Sequence, residues 1–308
     1  MSNSNHSPTP SKRLNDVSVE ELTTLLSGDP KEAAQWIKAA AEQGITEAQA
    51  LLGQILLDGR GLAKDEALAR TWFAKAAESG HLIAVNMIGR CHENGWGGEI
   101  DMVEAAKYFR QAAAQGLDCA MYNYANLLLH GNGVKKDEQL ALDWYRQAAA
   151  RGYAKALGVM GRFYEEGWTV ERNPELAAEY YQKSAEGGDF RGQYNHALIL
   201  AENARMTESV EWMQKALAGA HLNFSRVMAE NLSSFPHPEF HAVALQAFEK
   251  CCQSGDANDY FAYAQALLKH HSTSENAMLA RIWLNRAADN GHAVAKQQLA
   301  STFHTSLN

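Results

Sequence analysis

Glycine recurs in this chain at one interval: Gly44, Gly80, Gly116, Gly152 and Gly188 stand 36 residues apart. Each closes a variant of one phrase, WIKAAAEQG, WFAKAAESG, YFRQAAAQG, WYRQAAARG and YYQKSAEGG. The phrase returns as WMQKALAGA ending at Ala220, FEKCCQSG at Gly255 and WLNRAADNG at Gly291, after steps of 32, 35 and 36 residues. A period of this length specifies an array of like units, each too small to bury its own apolar face and stable only when stacked on its neighbours.

Within one step the hydrophobic spacing reads as two helices. In residues 45–80, Ala48, Leu52 and Leu56 recur every four residues and mark one face of a first helix. Gly59-Arg60-Gly61 interrupts it. Asp65 is placed to cap a second helix, its carboxylate accepting orphan backbone N–H groups, and Ala69, Trp72, Phe73, Ala76 and Ala77 form that helix's apolar stripe. Gly80 closes it in the left-handed conformation, and positive φ is expected at Gly116 and Gly152 for the same reason. The columns stay in register: Asp65, Asp101, Asp137 and Asn173 at the cap, and Ala48, Ala84, Ala120, Ala156 and Gly192 where two backbones must approach closely. Trp36, Trp72, Trp144, Trp212 and Trp283 share a column and read as core wedges.

The expected architecture is an all-α solenoid of helix pairs. Residues 1–17 read as a disordered polar tail and 18–308 as a single repeat domain, with a terminal helix pair at 18–44, seven repeats at 45–291 and a capping helix at 292–308. Ser18 with Glu21 matches a capping box and Val17 with Leu22 a hydrophobic staple, which starts the first helix near residue 19. Pro30 opens the next one. In the last helix Ala295 and Leu299 are expected inward, with Lys296, Gln297 and Gln298 outward.

Composition narrows the function. A chain of 308 residues with 46% hydrophobic and 21% charged residues is not wholly disordered. Its formal charge of −8 disfavours a partner made of phosphates, so no nucleic acid is expected. No run of 18 apolar residues offers a membrane span, and the polar start MSNSNHSPTPSKRLNDVS holds no readable secretory signal. The four cysteines, Cys91, Cys119, Cys251 and Cys252, include no CxxC pair and follow no repeat spacing. They read as reduced thiols in a cytoplasmic protein.

Ala48, Leu52, Gly53, Gly59, Gly61 and Asp65, followed by Ala69, Trp72, Phe73, Lys75, Ala76, Ala77 and Gly80, resemble the Sel-one-like repeat, a relative of the tetratricopeptide repeats. The likeness is close over about residues 31–188 and looser to 304. The repeats beginning at 189 and 221 lack the G-x-G turn, and the second has SSFPHPEF instead. The resemblance implies a right-handed superhelix of antiparallel helix pairs and a role as an adaptor or scaffold for a protein or peptide partner.

Chemistry finds little purchase. The glycine turns follow helices rather than strands and none ends in the lysine-serine or lysine-threonine of a phosphate loop, so they read as inter-helix turns. His237 and His241, with Glu239 between them, have zinc-helix spacing, yet Pro238 at a helix start leaves His237 outside the regular turn. Cys251 and Cys252 occupy the columns of Ala76 and Ala77 and read as small core residues. There is neither a G-x-S-x-G elbow nor an H-E-x-x-H helix. No catalytic residue, metal ligand or cofactor is therefore assigned, and the protein is expected to be a non-enzymatic, monomeric binding module. A hydrolase-like activity in the groove and a self-associating scaffold stand as alternatives.

The binding surface is expected on the first helices, two and six positions beyond the small column. There the chain carries Asn86, Arg90, Tyr122, Asn126, Arg162 and Tyr194 in place of the lysines and glutamates of an idle surface. Trp96 and Trp168 sit in the variable position of the turns, where the repeat requires no aromatic. Either they cover the edge of the next unit or the turn edge is itself the contact surface.

Overall fold

Asp65 accepts the backbone N–H of Leu68, Asp101 those of Val103 and Glu104, Asp137 that of Leu140, and Asn173 that of Leu176. The cap column thus starts a helix wherever the sequence places it. Glycine ends the helices of the regular repeats. Gly59, Gly95, Gly131 and Gly167 follow first helices at φ near 71–75°, and Gly80, Gly116, Gly152 and Gly188 follow second helices at 82–93°.

The computed structural model describes residues 27–270 and 274–305, with side chains to 300. The expected tail, the helix near residue 19 and its Ser18–Glu21 and Val17–Leu22 contacts lie outside the described residues. The helices are α1 (Pro30–Glu42), α2 (Thr46–Asp58), α3 (Glu66–Glu78), α4 (Leu82–Asn94), α5 (Met102–Ala114), α6 (Asp118–His130), α7 (Glu138–Ala150), α8 (Ala154–Glu166), α9 (Pro174–Glu186), α10 (Phe190–Glu202), α11 (Met206–Gly219), α12 (Leu222–Ser234), α13 (Pro238–Cys251), α14 (Ala257–His270), α15 (Ser274–Asp289) and α16 (Ala293–Thr305). A short 3-10 turn, Cys252–Ser254, follows α13. No strand occurs among the described residues. Even-numbered helices are the first, and odd-numbered the second, of each pair. The chain divides into two compact units, Met1–Ala156 and Leu157–Asn308.

In the first unit each helix packs on the next in chain order from α1 to α7. A ring from the second helix lies flat on a glycine of the first: a Cβ on Gly53 would stand 2.7 Å from Phe73, and one on Gly89 2.7 Å from Phe109. The second glycine of the turn seats the loop on the preceding repeat. A Cβ on Gly133 would come within 2.1 Å of the Met102 carbonyl oxygen. Leu52, Leu56, Phe73, Ala84, Ile88 and Cys91 belong to one buried cluster that runs from one repeat into the next.

The second unit keeps the plan with substitutions. Thr169 replaces the second glycine of its turn and still takes positive φ, at 52°. Gly192 fills the small column because a Cβ there would meet the buried Ser184 hydroxyl at 2.1 Å. At α11 the glycine stop is missing, and the chain leaves through Ala220 in an extended conformation. Lys250, from the second helix of the following repeat, donates to the carbonyl oxygens of Leu217 at 2.5 Å and Ala220 at 2.7 Å. α11 and α13 pack against each other there. In the SSFPHPEF turn, Phe235 and His237 meet Phe240 edge-on, and Pro238 is the first residue of α13.

Two expectations need correction. Trp36 and Trp72 are buried, but Trp144, Trp212 and Trp283 are only half-buried. Three of these rings carry a cation from three residues on: Lys75 over Trp72 at 4.2 Å, Lys215 over Trp212 at 3.9 Å and Arg286 over Trp283 at 4.6 Å. In the last helix Ala295 is buried and Leu299 packs inward, but Gln298 does not face away, since it accepts a hydrogen bond from Gln265 at 2.8 Å.

Candidate functional site

In the first unit α4 carries Asn86 and Arg90, and α6 carries Tyr122 and Asn126. Asn86 is 4% exposed and accepts a hydrogen bond from Asn123 Nδ2 at 2.9 Å, which ties two successive first helices together. Asn126 accepts the Tyr145 hydroxyl at 2.6 Å. Tyr122 is half-buried and stands edge-on to Tyr145 and Tyr153, with centroids 5.8 and 5.6 Å away. Burial, reinforced by Tyr122, pushes the Tyr145 phenol far up, so it stays a neutral donor. Arg90 is half-buried, and its guanidinium carbon lies 4.9 Å from the centre of the Trp96 indole.

In the second unit Arg162, on α8, is exposed and sits 5.1 Å over Trp168, itself 43% exposed. Tyr194, on α10, is 7% exposed and its hydroxyl accepts from Asn231 at 3.3 Å. Burial raises its pKa, and the Asn231 hydrogen bond pulls the other way. Asn86 and Tyr194 are therefore not surface side chains. A first helix in a stack is covered by its own second helix and by the next first helix, so the exposed stripe is narrower than helical spacing alone suggests.

Arg90 and Trp96 stand six residues apart, and so do Arg162 and Trp168. The two pairs share columns in alternate repeats, and the shared 72-residue offset was the sequence signal that these side chains meet. The first-helix stripe and the turn edge are joined by these contacts.

The other candidates resolve locally. His241 Nε2 bonds the Phe235 carbonyl oxygen at 2.8 Å and its ring lies 4.0 Å from His270, while His237 packs on Phe240. Among the described residues no group of three or more His, Cys, Asp or Glu side chains is arranged to hold a metal ion. All four cysteines are free thiols. Burial pushes Cys91 and Cys251 up to about 11 and Cys252 up to about 12, so all three stay protonated near neutrality, as small core residues do. No helix among the described residues is long and apolar enough to cross a membrane.

Antiparallel helix pairs in a 36-residue register, with arginine and tyrosine on the first helices, define a tetratricopeptide-like repeat protein. The chain belongs to the Sel1 repeat family, whose profile matches residues 24–45, 46–81, 82–117, 120–153, 154–189 and 260–292. The unmatched stretch, 190–259, holds the repeats that begin at 189 and 221. Among solved structures, a Sel1 repeat protein from Oxalobacter formigenes is 27% identical, with a TM-score of 0.63, covering 77% of this chain and 100% of its own. The protective antigen c5321 of uropathogenic Escherichia coli, which displays an SLR fold, is 26% identical with a TM-score of 0.55 and covers 94% of this chain. The chain spans 64% of that antigen's length. No curated protein gives a significant match.

Proposed function

We propose that this protein is a non-enzymatic interaction module, an adaptor or scaffold that holds a peptide segment or partner protein along its first helices. The observation that carries the reading is the Arg90–Trp96 pair, a cation laid over an indole in the way of a pre-set interface anchor, with the half-buried Tyr122 and Asn126 carried on the next first helix, α6. Arg90, Tyr122 and Asn126 make the contacts in the first unit and Arg162 in the second, with Asn86 and Tyr194 as the supports that hold neighbouring first helices in place. Membership of a repeat family whose members are generally protein-interaction modules supports a binding role over a catalytic one. Four free thiols fit a reducing, cytoplasmic setting, and we take the working form to be a monomer.

The test starts with the full-length chain as bait for a phage-displayed library of random twelve-residue peptides. The affinities of the selected peptides are then measured by fluorescence anisotropy, and light scattering gives the mass in solution. Peptides whose binding depends on Tyr122 support the reading. Selection of no peptide, or a chain that is fully dimeric, removes it.

A further inference from the structure

Arg191, at the start of α10, points to a distinct recognition chemistry in the second unit. Its guanidinium carbon lies 4.8 Å from the Phe190 ring centre and 5.8 Å from that of Phe224 on α12. The two rings are 5.0 Å apart. His221 meets Phe190 edge-on at 5.3 Å, and Tyr194 closes the far side against Phe224 at 5.6 Å. His221 Nδ1 accepts the Phe224 backbone N–H at 3.2 Å. The neutral imidazole therefore carries its proton on Nε2, so that edge of an exposed ring is a donor whether the ring is neutral or charged.

Arg191 is exposed, and among the described residues no carboxylate lies within ion-pair distance of it. Arg226, also on α12, is by contrast fully engaged by Asp259 and Asn223. In a chain of net charge −8, an arginine held over two aromatic rings instead of on an acid keeps its fork of N–H donors for something else.

We propose that this cluster is a seat for an acidic peptide segment of a partner. A carboxylate of the segment takes the Arg191 fork and the His221 Nε2–H, and an apolar side chain beside it lies against Phe190 and Phe224. One full positive charge at the seat matches a monoanionic carboxylate better than a dianionic phosphate. The seat rests on the binding reading above, in that both require a peptide partner, but it names the residue chemistry that partner must bring.

The test uses peptides selected by the full-length chain from the random phage library. Their affinities are measured for the wild type, Arg191→Gln and Arg191→Lys, with circular dichroism confirming unchanged helicity. The selected peptides are expected to carry Asp or Glu next to an apolar residue. Arg191→Gln lowers affinity at least tenfold, and Arg191→Lys, which keeps the charge but loses the fork, lowers it several-fold. Replacing the peptide's acid by its amide costs the wild type the same tenfold and costs Arg191→Gln nothing further. Wild-type affinity in Arg191→Gln, or a selection dominated by neutral or basic peptides, overturns the seat. If binding is lost in Tyr122→Ala but not in Arg191→Gln, the interaction reading stands and the seat falls. If no peptide is selected, both fall.

Discussion

The guanidinium of Arg90 lies over the indole of Trp96, 4.9 Å from carbon to ring centre, across the left-handed Gly95 that ends α4. The contact binds a first-helix position to a turn position, so the helix stripe and the turn edge act as one surface. A cation held on a half-exposed ring is worth about 0.5–1 kcal/mol. A double-mutant cycle with Arg90→Ala and Trp96→Leu, read from urea midpoints, should return a coupling of that size, whereas strict additivity would show that the two side chains are merely adjacent.

Lys250 stands in for a glycine stop. With its ammonium on the Leu217 and Ala220 carbonyl oxygens, it satisfies a helix end that lacks the left-handed residue present in the regular repeats. Lys250→Met keeps the stem and removes the donors, leaving partly buried acceptors unpaired. The expected loss is about 1–3 kcal/mol in chemical denaturation. An unchanged midpoint would mean that water replaces the lysine at no cost.

Backbone sign gives opposite predictions at two turns. Gly116 has φ of 93°, so Gly116→Val should destabilise by about 1–2 kcal/mol or more. Thr169 holds φ of 52° with a β-branched side chain, so Thr169→Gly should stabilise by about 1 kcal/mol, less the flexibility gained by the unfolded chain. Thermal melts that move both variants in the same direction would contradict the assigned turn conformations.

Asp259 is 9% exposed and accepts both Arg226 donors and the Ser254 hydroxyl, which hold its carboxyl below the usual range. A folded pKa below the unfolded one adds stability above the ordinary carboxylate range, and this is lost as pH falls through that range to the lowered folded value. Asp259→Asn should therefore cost about 1.5–3 kcal/mol at neutral pH. The gap from wild type should narrow as urea midpoints are followed from pH about 6 to about 3. A gap that stays constant over that interval would assign the effect to packing alone.

The fold was legible because each repeat restates the same physics. Asp65, Asp101, Asp137 and Asn173 cap, and Gly80, Gly116 and Gly152 stop, with no long-range information needed. Lys250 was not legible, since its partners lie about thirty residues away and its column otherwise reads as helix surface. The surface was legible only in part. Helical spacing placed Asn86 and Tyr194 away from their own repeat's core, yet each is buried against the next first helix, bonded to Asn123 and Asn231 at an offset of 37 residues. An amphipathic pattern records how much of a helix is apolar. It does not record a second, polar contact face, and asparagine–asparagine and tyrosine–asparagine pairs leave no hydrophobic trace.

The central claim is that Arg90 and Tyr122 touch the partner. The direct measurement is the dissociation constant of a library-selected peptide for Arg90→Ala, Tyr122→Ala and the double variant, each shown by circular dichroism to keep wild-type helicity. Losses of about 1–4 kcal/mol for each single variant are predicted, as for hot-spot side chains. Wild-type affinity in the double variant would contradict the account and remove the first-helix face of the first unit from the binding surface.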